Sequence, residues 1–266
     1  MFINDIKHKY QKFLRPEKEG IYLIILKLKV DIKDCSFMFC NCNNIIIIDL
    51  SSFNSENIIK MSRMFSNCRN LKNINFSSFD TGGVTDMCGM FFGSGNLEDI
   101  DLSSFDTRNV INMSSMFASC DNLKKIDLSS FDTKNVIEMD YLFGKCANLL
   151  YVNLSSFDTT KVTNMSHMFD GCSKLKNINL SSFDGKNLKN IEYMFSDCKS
   201  LSSIDLSFIE DTSNLHMAGF FSDCSNLKQL IINKNMYETF KKDGEKEIED
   251  PNKFFFEEFG IKLIVI

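Results

Sequence analysis

The sequence predicts an α/β repeat fold. It reads as a solenoid of eight 26-residue repeats, with a parallel β-sheet on one side, short helices on the other, and terminal caps. Three observations predict it. Ser-Ser-Phe ends at Phe53, Phe79, Phe105, Phe131, Phe157 and Phe183, always 26 residues apart. A cysteine column keeps the same interval at Cys42, Cys68, Cys120, Cys146, Cys172, Cys198 and Cys224, with Ser94 filling the gap. Met-Phe or a close variant recurs in the same register from Phe39 to Phe221. No insertion or deletion interrupts the copies between Cys35 and Asn233.

Each element follows from its side-chain pattern. The N-terminal cap is residues 1–33: residues 1–15 predict a short amphipathic helix, and Leu26-Lys-Leu-Lys-Val-Asp-Ile-Lys33 alternates as a half-exposed strand. The solenoid is residues 34–233. In its fourth repeat, Val110, Met113, Met116, Phe117 and Cys120 recur at the spacing of a short helix with one apolar face. Leu123 follows, and Ile126 and Leu128 then alternate with Lys125, Asp127 and Ser129, as in a strand with one buried face. Phe131 closes the corner, and Asp132-Thr133 supplies turn and N-cap chemistry. One copy cannot bury its own apolar face; stacked copies share a core. In the C-terminal cap, residues 234–266, Asp250-Pro251 predicts a helix start and Ile261–Ile266 a closing strand. Lys241–Glu249 is a highly charged stretch between them.

At these residues the chain resembles a known family. Phe117-x-x-Cys120-x-x-Leu123-x-x-Ile126 followed by Leu128 is similar to the leucine-rich repeat of the BspA-like type. The longer string Ile-Asp-Leu-Ser-Ser-Phe-Asp-Thr-x-Asn-Val-x-x-Met-x-x-Met-Phe resembles the DUF285 subgroup, the Mycoplasma-lipoprotein-associated repeat. The resemblance covers residues from about 35 to 233. It implies a right-handed leucine-rich-repeat-like solenoid, often found on microbial surface proteins.

The composition narrows the function. With 44% apolar and 24% charged residues the chain is expected to fold. A net charge of −5 argues against a nucleic-acid partner, although residues 1–30 are locally basic. No apolar run is long enough to span a bilayer, and no signal peptide is evident, which points to the cytoplasm; the BspA-like resemblance offers the cell surface as the alternative. Ten cysteines contain no Cys-x-x-Cys pair, and stacked columns about 4.8 Å apart do not suit disulfides, so a buried free-thiol column of small hydrophobes is expected. His8, His167 and His216 lie in unrelated contexts, and the serines recur in nearly every repeat, whereas catalysis needs one differentiated constellation. No enzyme, cofactor or metal site is expected. The glycines Gly82, Gly83, Gly89, Gly93 and Gly95 read as a more flexible repeat.

What remains is binding. The outward side chains of the strands form a polar face, comprising Asp49, Asn75, Asp99, Asp101, Lys125, Asp127, Tyr151, Asn153, Asn177, Asn179 and Asp205. Such a face suits a protein or peptide partner met by a monomer, with an adhesin as the rival reading; a solvated ladder that merely keeps the sheet soluble is the plainer one. A cation along the Asp ladder is disfavoured by the interspersed Asn. A weaker candidate is the variable column Arg63, Ser115, Tyr141, His167 and Tyr193 on the opposite side.

Overall fold

The repeated Met-x-x-Met-Phe segment sets the architecture, through its backbone as much as its side chains. In the computed structural model the described residues are 31–244 and 261–266, with side chains through 239 in the first span, together with the backbone of three short N-terminal strands. In the fourth repeat the amides of Met113, Ser115, Phe117 and Ser119 donate to the carbonyls of Glu138, Asp140, Leu142 and Gly144 in the next repeat, at 2.8–3.0 Å. The amides between them, of Met116, Ala118 and Cys120, turn back three residues to Met113, Ser115 and Phe117 at 3.1–3.2 Å. An α-helix sends each amide to the carbonyl four residues back. Here alternate amides leave the segment altogether.

The expected repeat helices are therefore absent, and the reason is backbone handedness. Each repeat carries two residues with positive φ, such as Ser115 at 58° and Ser119 at 58°. The positive-φ residues form two columns, twelve non-glycine and four glycine. Gly89 and Gly93 belong to these columns, so they serve a left-handed backbone rather than marking a flexible repeat. A left-handed residue every fourth position converts helical spacing into a run of tight turns. Parallel bridges join Asp34, Lys60, Asp86, Asn112, Glu138, Asn164, Asn190 and His216, an unbroken ladder along the turn side.

The strand side is less continuous than the sequence predicts. β4 (Ile47–Asp49) pairs with β5 (Asn73–Asn75), and β6 (Lys125–Asp127) with β7 (Tyr151–Asn153), all in parallel. β8 (Ser203–Asp205), β9 (Gln229–Ile232) and β10 (Lys262–Val265) form a third parallel group. Partners inside the array are 26 residues apart, as in Ile126 with Val152. The third and sixth repeats contribute no strand at residues 99–101 and 177–179, where the inward Ile100 and Ile178 are only half-buried. The sheet is three pieces.

Between the two sides lies a core written in columns. Phe65, Phe91, Phe117, Phe143, Phe169 and Phe195 stack with centroids 5.4–5.6 Å apart and planes within 12°, near the offset geometry aromatic pairs prefer. The cysteine column does more than fill space. Each thiol from Cys68 to Cys224 donates to the carbonyl of the Phe 29 residues earlier, at 2.9–3.2 Å. Ser94 makes the same bond to Phe65 at 2.7 Å. The slot therefore needs a small donor, and both serine and cysteine meet that need. All ten cysteines are unpaired.

A third column clips the corners. Thr133, 1% exposed, donates to the carbonyl of Asp158 at 2.9 Å and accepts its amide at 2.8 Å. Thr81, Thr107 and Thr159 repeat the clip on Asp106, Asp132 and Asp184. Thr133→Val keeps the shape but strands both backbone groups, at a cost of about 2–3 kcal/mol. Urea titration should show that loss and find Thr133→Ser within about 1 kcal/mol of wild type. A valine variant as stable as wild type would show that the clip contributes nothing.

Residues Met1–Ile32 form one unit and Lys33–Ile266 another. In the first, β1 (Phe2–Ile3) pairs antiparallel with β2 (Ile6–Lys7) and with β3 (Ile24–Ile25). The short helix expected over residues 1–15 is thus strand at these four positions. Ile3 and Ile6 flank Asn4-Asp5, and two β-branched residues around a turn-forming pair are hairpin chemistry. Of the strand expected over Leu26–Lys33, residues 26–30 lie outside the described residues, and 31–33 are not strand. After the array comes α1 (Lys234–Gly244), a helix the sequence reading missed. The closing strand appears as β10. The helix start at Asp250-Pro251 falls outside the described residues.

Candidate binding surface

The polar face divides into two columns with different tasks. The inner one is Asp49, Asn75, Asp101, Asp127, Asn153, Asn179 and Asp205. Each places its Oδ1 2.9–3.2 Å from the amide of the serine two residues on, a turn closed by its own side chain. Asn153 also donates to Asp127 at 2.9 Å. The serine amides hold the carboxyls of Asp49 and Asp127 below the usual carboxylate range, and the Ser103 hydroxyl followed by its amide does so for Asp101. These carboxylates stay charged into mild acid, but one oxygen of each is spent on the fold.

The outer column is less committed. Asp99, Lys125 and Tyr151 are exposed and, among the described residues, their side chains make no hydrogen bond or ion pair. Tyr151 is 56% exposed beside Leu150 at 52%. Asn177 accepts the Ser202 hydroxyl at 3.2 Å. β6 and β7 hold Lys125 and Tyr151 as register partners, so the two side chains stand one repeat apart on one surface. Asp99 lies one repeat earlier, where the strand is missing.

Other candidate chemistry is quieter. Among the described residues, no three His, Cys, Asp or Glu side chains converge as metal ligands. The corner groove at Arg108 and Lys134 is occupied by the chain's own ion pairs, Arg108–Asp106 and Lys134–Asp132, both 2.8 Å. On the turn side, the variable column Arg63, Ser115, Tyr141, His167 and Tyr193 coincides with one left-handed column. Sequence reading missed Asp170 beneath it. Its signal was available: Asp170 is the only charged residue in a column that otherwise reads Cys40, Ser66, Phe92, Ala118, Gly144, Ser196 and Ser222.

Comparison with known proteins bears on the array. Residues 33–150 and 113–236 match the family described as Mycoplasma protein of unknown function, DUF285. No curated protein matches the chain. A leucine-rich repeat protein from Eubacterium ventriosum is 25% identical, with a TM-score of 0.44; the match covers 68% of this chain and 43% of that one. One from Bacteroides ovatus is 19% identical over 91% of this chain and 67% of its own, with a TM-score of 0.42. A leucine-rich cell surface protein from Faecalibacterium prausnitzii is 15% identical over 87% and 62%, with a TM-score of 0.35. The chain spans less than half the length of the Eubacterium protein.

Proposed function

The chain belongs to the DUF285 family, and from that premise we propose that it is a non-enzymatic scaffold binding a protein or peptide partner on its repeat surface. One observation carries the reading. Asp99, Lys125 and Tyr151 make no side-chain hydrogen bond or ion pair among the described residues, and the β6–β7 pairing fixes the spacing of Lys125 and Tyr151. A tyrosine needs little entropy to order and is enriched at interface hot spots. The inner Asn and Asp residues frame this contact, and their bonded oxygens keep the turns beneath it in shape.

The repeats also argue for binding over chemistry. The serines and carboxylates of the face recur in equivalent places, so none is singled out as a nucleophile or base. No helix among the described residues is long and apolar enough to cross a membrane. A cytoplasmic location is part of the same proposal, and the buried column thiols are compatible with it. The second reading, a microbial surface adhesin, is supported by the BspA-like resemblance.

Partner recovery by proximity labelling should compare wild type with Asp99→Ala/Lys125→Ala/Tyr151→Ala. We expect the triple variant to keep its melting temperature and lose specific partners by about tenfold, equivalent to about 1.4 kcal/mol. Identical recovery by the two proteins would remove the sheet face as the binding surface. Fractionation that finds the protein only on the cell exterior would replace the cytoplasmic scaffold with the adhesin.

A further inference from the structure

The C-terminal margin of the sheet departs from the pattern of the rest. β8, β9 and β10 carry Asp205, Ile231 and Ile264 as register partners in the outward column. Asp or Asn fills that column from Asp49 to Asp205, and isoleucine fills it in the last two strands. The inward residues change as well. Leu230 and Ile232 of β9 are fully buried, whereas their partners in β10 are open: Leu263 is half-buried and Val265 is 42% exposed. Ile266 follows at 67%. From Leu263 onward the strand is apolar on both faces. Its inward side chains lie at an end of the core that no further strand covers among the described residues.

β10 also has a free edge. The amides of Lys262 and Ile266 donate toward β9, to the carbonyls of Lys228 and Ile232, at 2.8 and 3.0 Å. Successive residues of a strand turn their N–H and C=O groups to opposite sides. Those of Leu263 and Val265 therefore point away from β9. Edge strands are ordinarily shielded by charge, proline or a bulge. Here Lys262 is the only charged residue from 262 to 266, and no proline interrupts the run.

We propose that β10 pairs antiparallel with β10 of a second copy of this chain, about a two-fold axis at Ile264. The strand is complementary to itself in that register. Leu263 stands opposite Val265 of the other copy, and the two exchange both backbone hydrogen bonds, so every group pointing away from β9 at these residues is used. The same register continues the core, because Leu263 and Val265 share the inward face and meet their counterparts there. Ile264 meets Ile264 on the outward face. A head-to-tail stack has no equivalent: β4, the first strand of the array, keeps its inward Ile48 and Leu50 buried and offers no open core. A two-fold contact closes on itself and gives a dimer, in place of the monomer expected from the sequence. It involves none of Asp99, Lys125 and Tyr151 and does not depend on the role given to their face.

Sedimentation velocity on the full chain, from about 1 to about 300 µM, should show a monomer–dimer equilibrium with Kd on the order of 10–100 µM, as suits a contact below the standard interface size. Val265→Pro removes an amide that points to the free edge and none that bonds β9, so it should keep its melting temperature and remain monomeric. Ile264→Asp restores the residue type of the column, and Ile264→Lys reverses its charge. Each alone sets like charges against one another at the axis and should weaken association at least about tenfold. An equimolar mixture of the two should recover the dimer. A wild type that stays monomeric throughout, an open-ended series of larger species, or a mixture that fails to associate overturns the proposal. So does a folded Val265→Pro chain that dimerises as wild type does.

Discussion

Alkali should unfold the array in one cooperative step with a midpoint at about pH 9–10, well before peptide chemistry intervenes. The cause is the thiol column. Burial pushes Cys68, Cys146 and Cys224 up to about 12, and drives Cys120, Cys172 and Cys198 upward as well. In the unfolded chain these thiols ionise near pH 8.5. Below that value both states hold the proton and stability is complete. Above it the unfolded chain releases protons that the folded chain retains, so each buried thiol lowers stability by about 1.4 kcal/mol per pH unit. Six such thiols together remove about 8 kcal/mol per unit, against a total typical of domains of about 5–15 kcal/mol.

Far-ultraviolet circular dichroism and thiolate absorbance should therefore change together. Cys146→Ser and Cys172→Ser provide the control, since Ser94 already fills this slot with the same bond. The double variant should move the midpoint upward by about half a pH unit or more. Retention of the folded spectrum at pH 12, or thiolate appearing well before the spectrum changes, would show that the column does not set alkaline stability.

Phe117→Ala should be the most damaging single substitution of those considered, costing about 3–5 kcal/mol. Phe117 is 1% exposed and stacks on two neighbours, Phe91 at 5.6 Å and Phe143 at 5.4 Å. Truncation leaves a void bounded by two flat rings, neither of which can tilt without disturbing the next repeat. Phe37→Ala makes a suitable contrast, because Phe37 is 56% exposed and surface truncations fall within about 0.5 kcal/mol. Urea titrations of the two variants should differ by at least about 2 kcal/mol. Equal stabilities would mean that the Phe column is not a continuous core.

The repeat period, the direction of the strands and their register were legible in the sequence, because a 26-residue recurrence leaves little freedom in how copies stack. Ile126 opposite Val152 follows directly from it. The turn segment was not legible from apolar spacing. Val110, Met113, Met116, Phe117 and Cys120 would lie on one face of a helix, and they also face inward on a run of tight turns. A different signal lay in the two left-handed columns, one of which reads Asn41, Asn67, Gly93, Ser119, Lys145, Gly171, Asp197 and Asp223. Asn, Asp and Gly tolerate positive φ better than other residues do. Their concentration there spoke against a helix.

The candidate surface was half legible. Alternation correctly placed Asp49 through Asp205 facing outward, but outward placement did not reveal that their oxygens close turns onto Ser51 through Ser207. The constant Asp/Asn-Leu-Ser or Asn-Phe-Ser spacing was the clue. Asp170 was hidden for the opposite reason. It is a single departure in a column of small and apolar residues, and column averages conceal single departures.

The unequal bonding of the two sides also has a mechanical consequence. A strip fastened along the whole of one margin, but in segments along the other, flexes about the fastened margin. The turn side, bridged from Asp34 to His216, is that fastened margin. The strand side can yield at residues 99–101 and 177–179, where pairing is interrupted. A partner seated over Asp99 would meet the margin with the interrupted pairing, whereas the bridged turn side would hold its spacing.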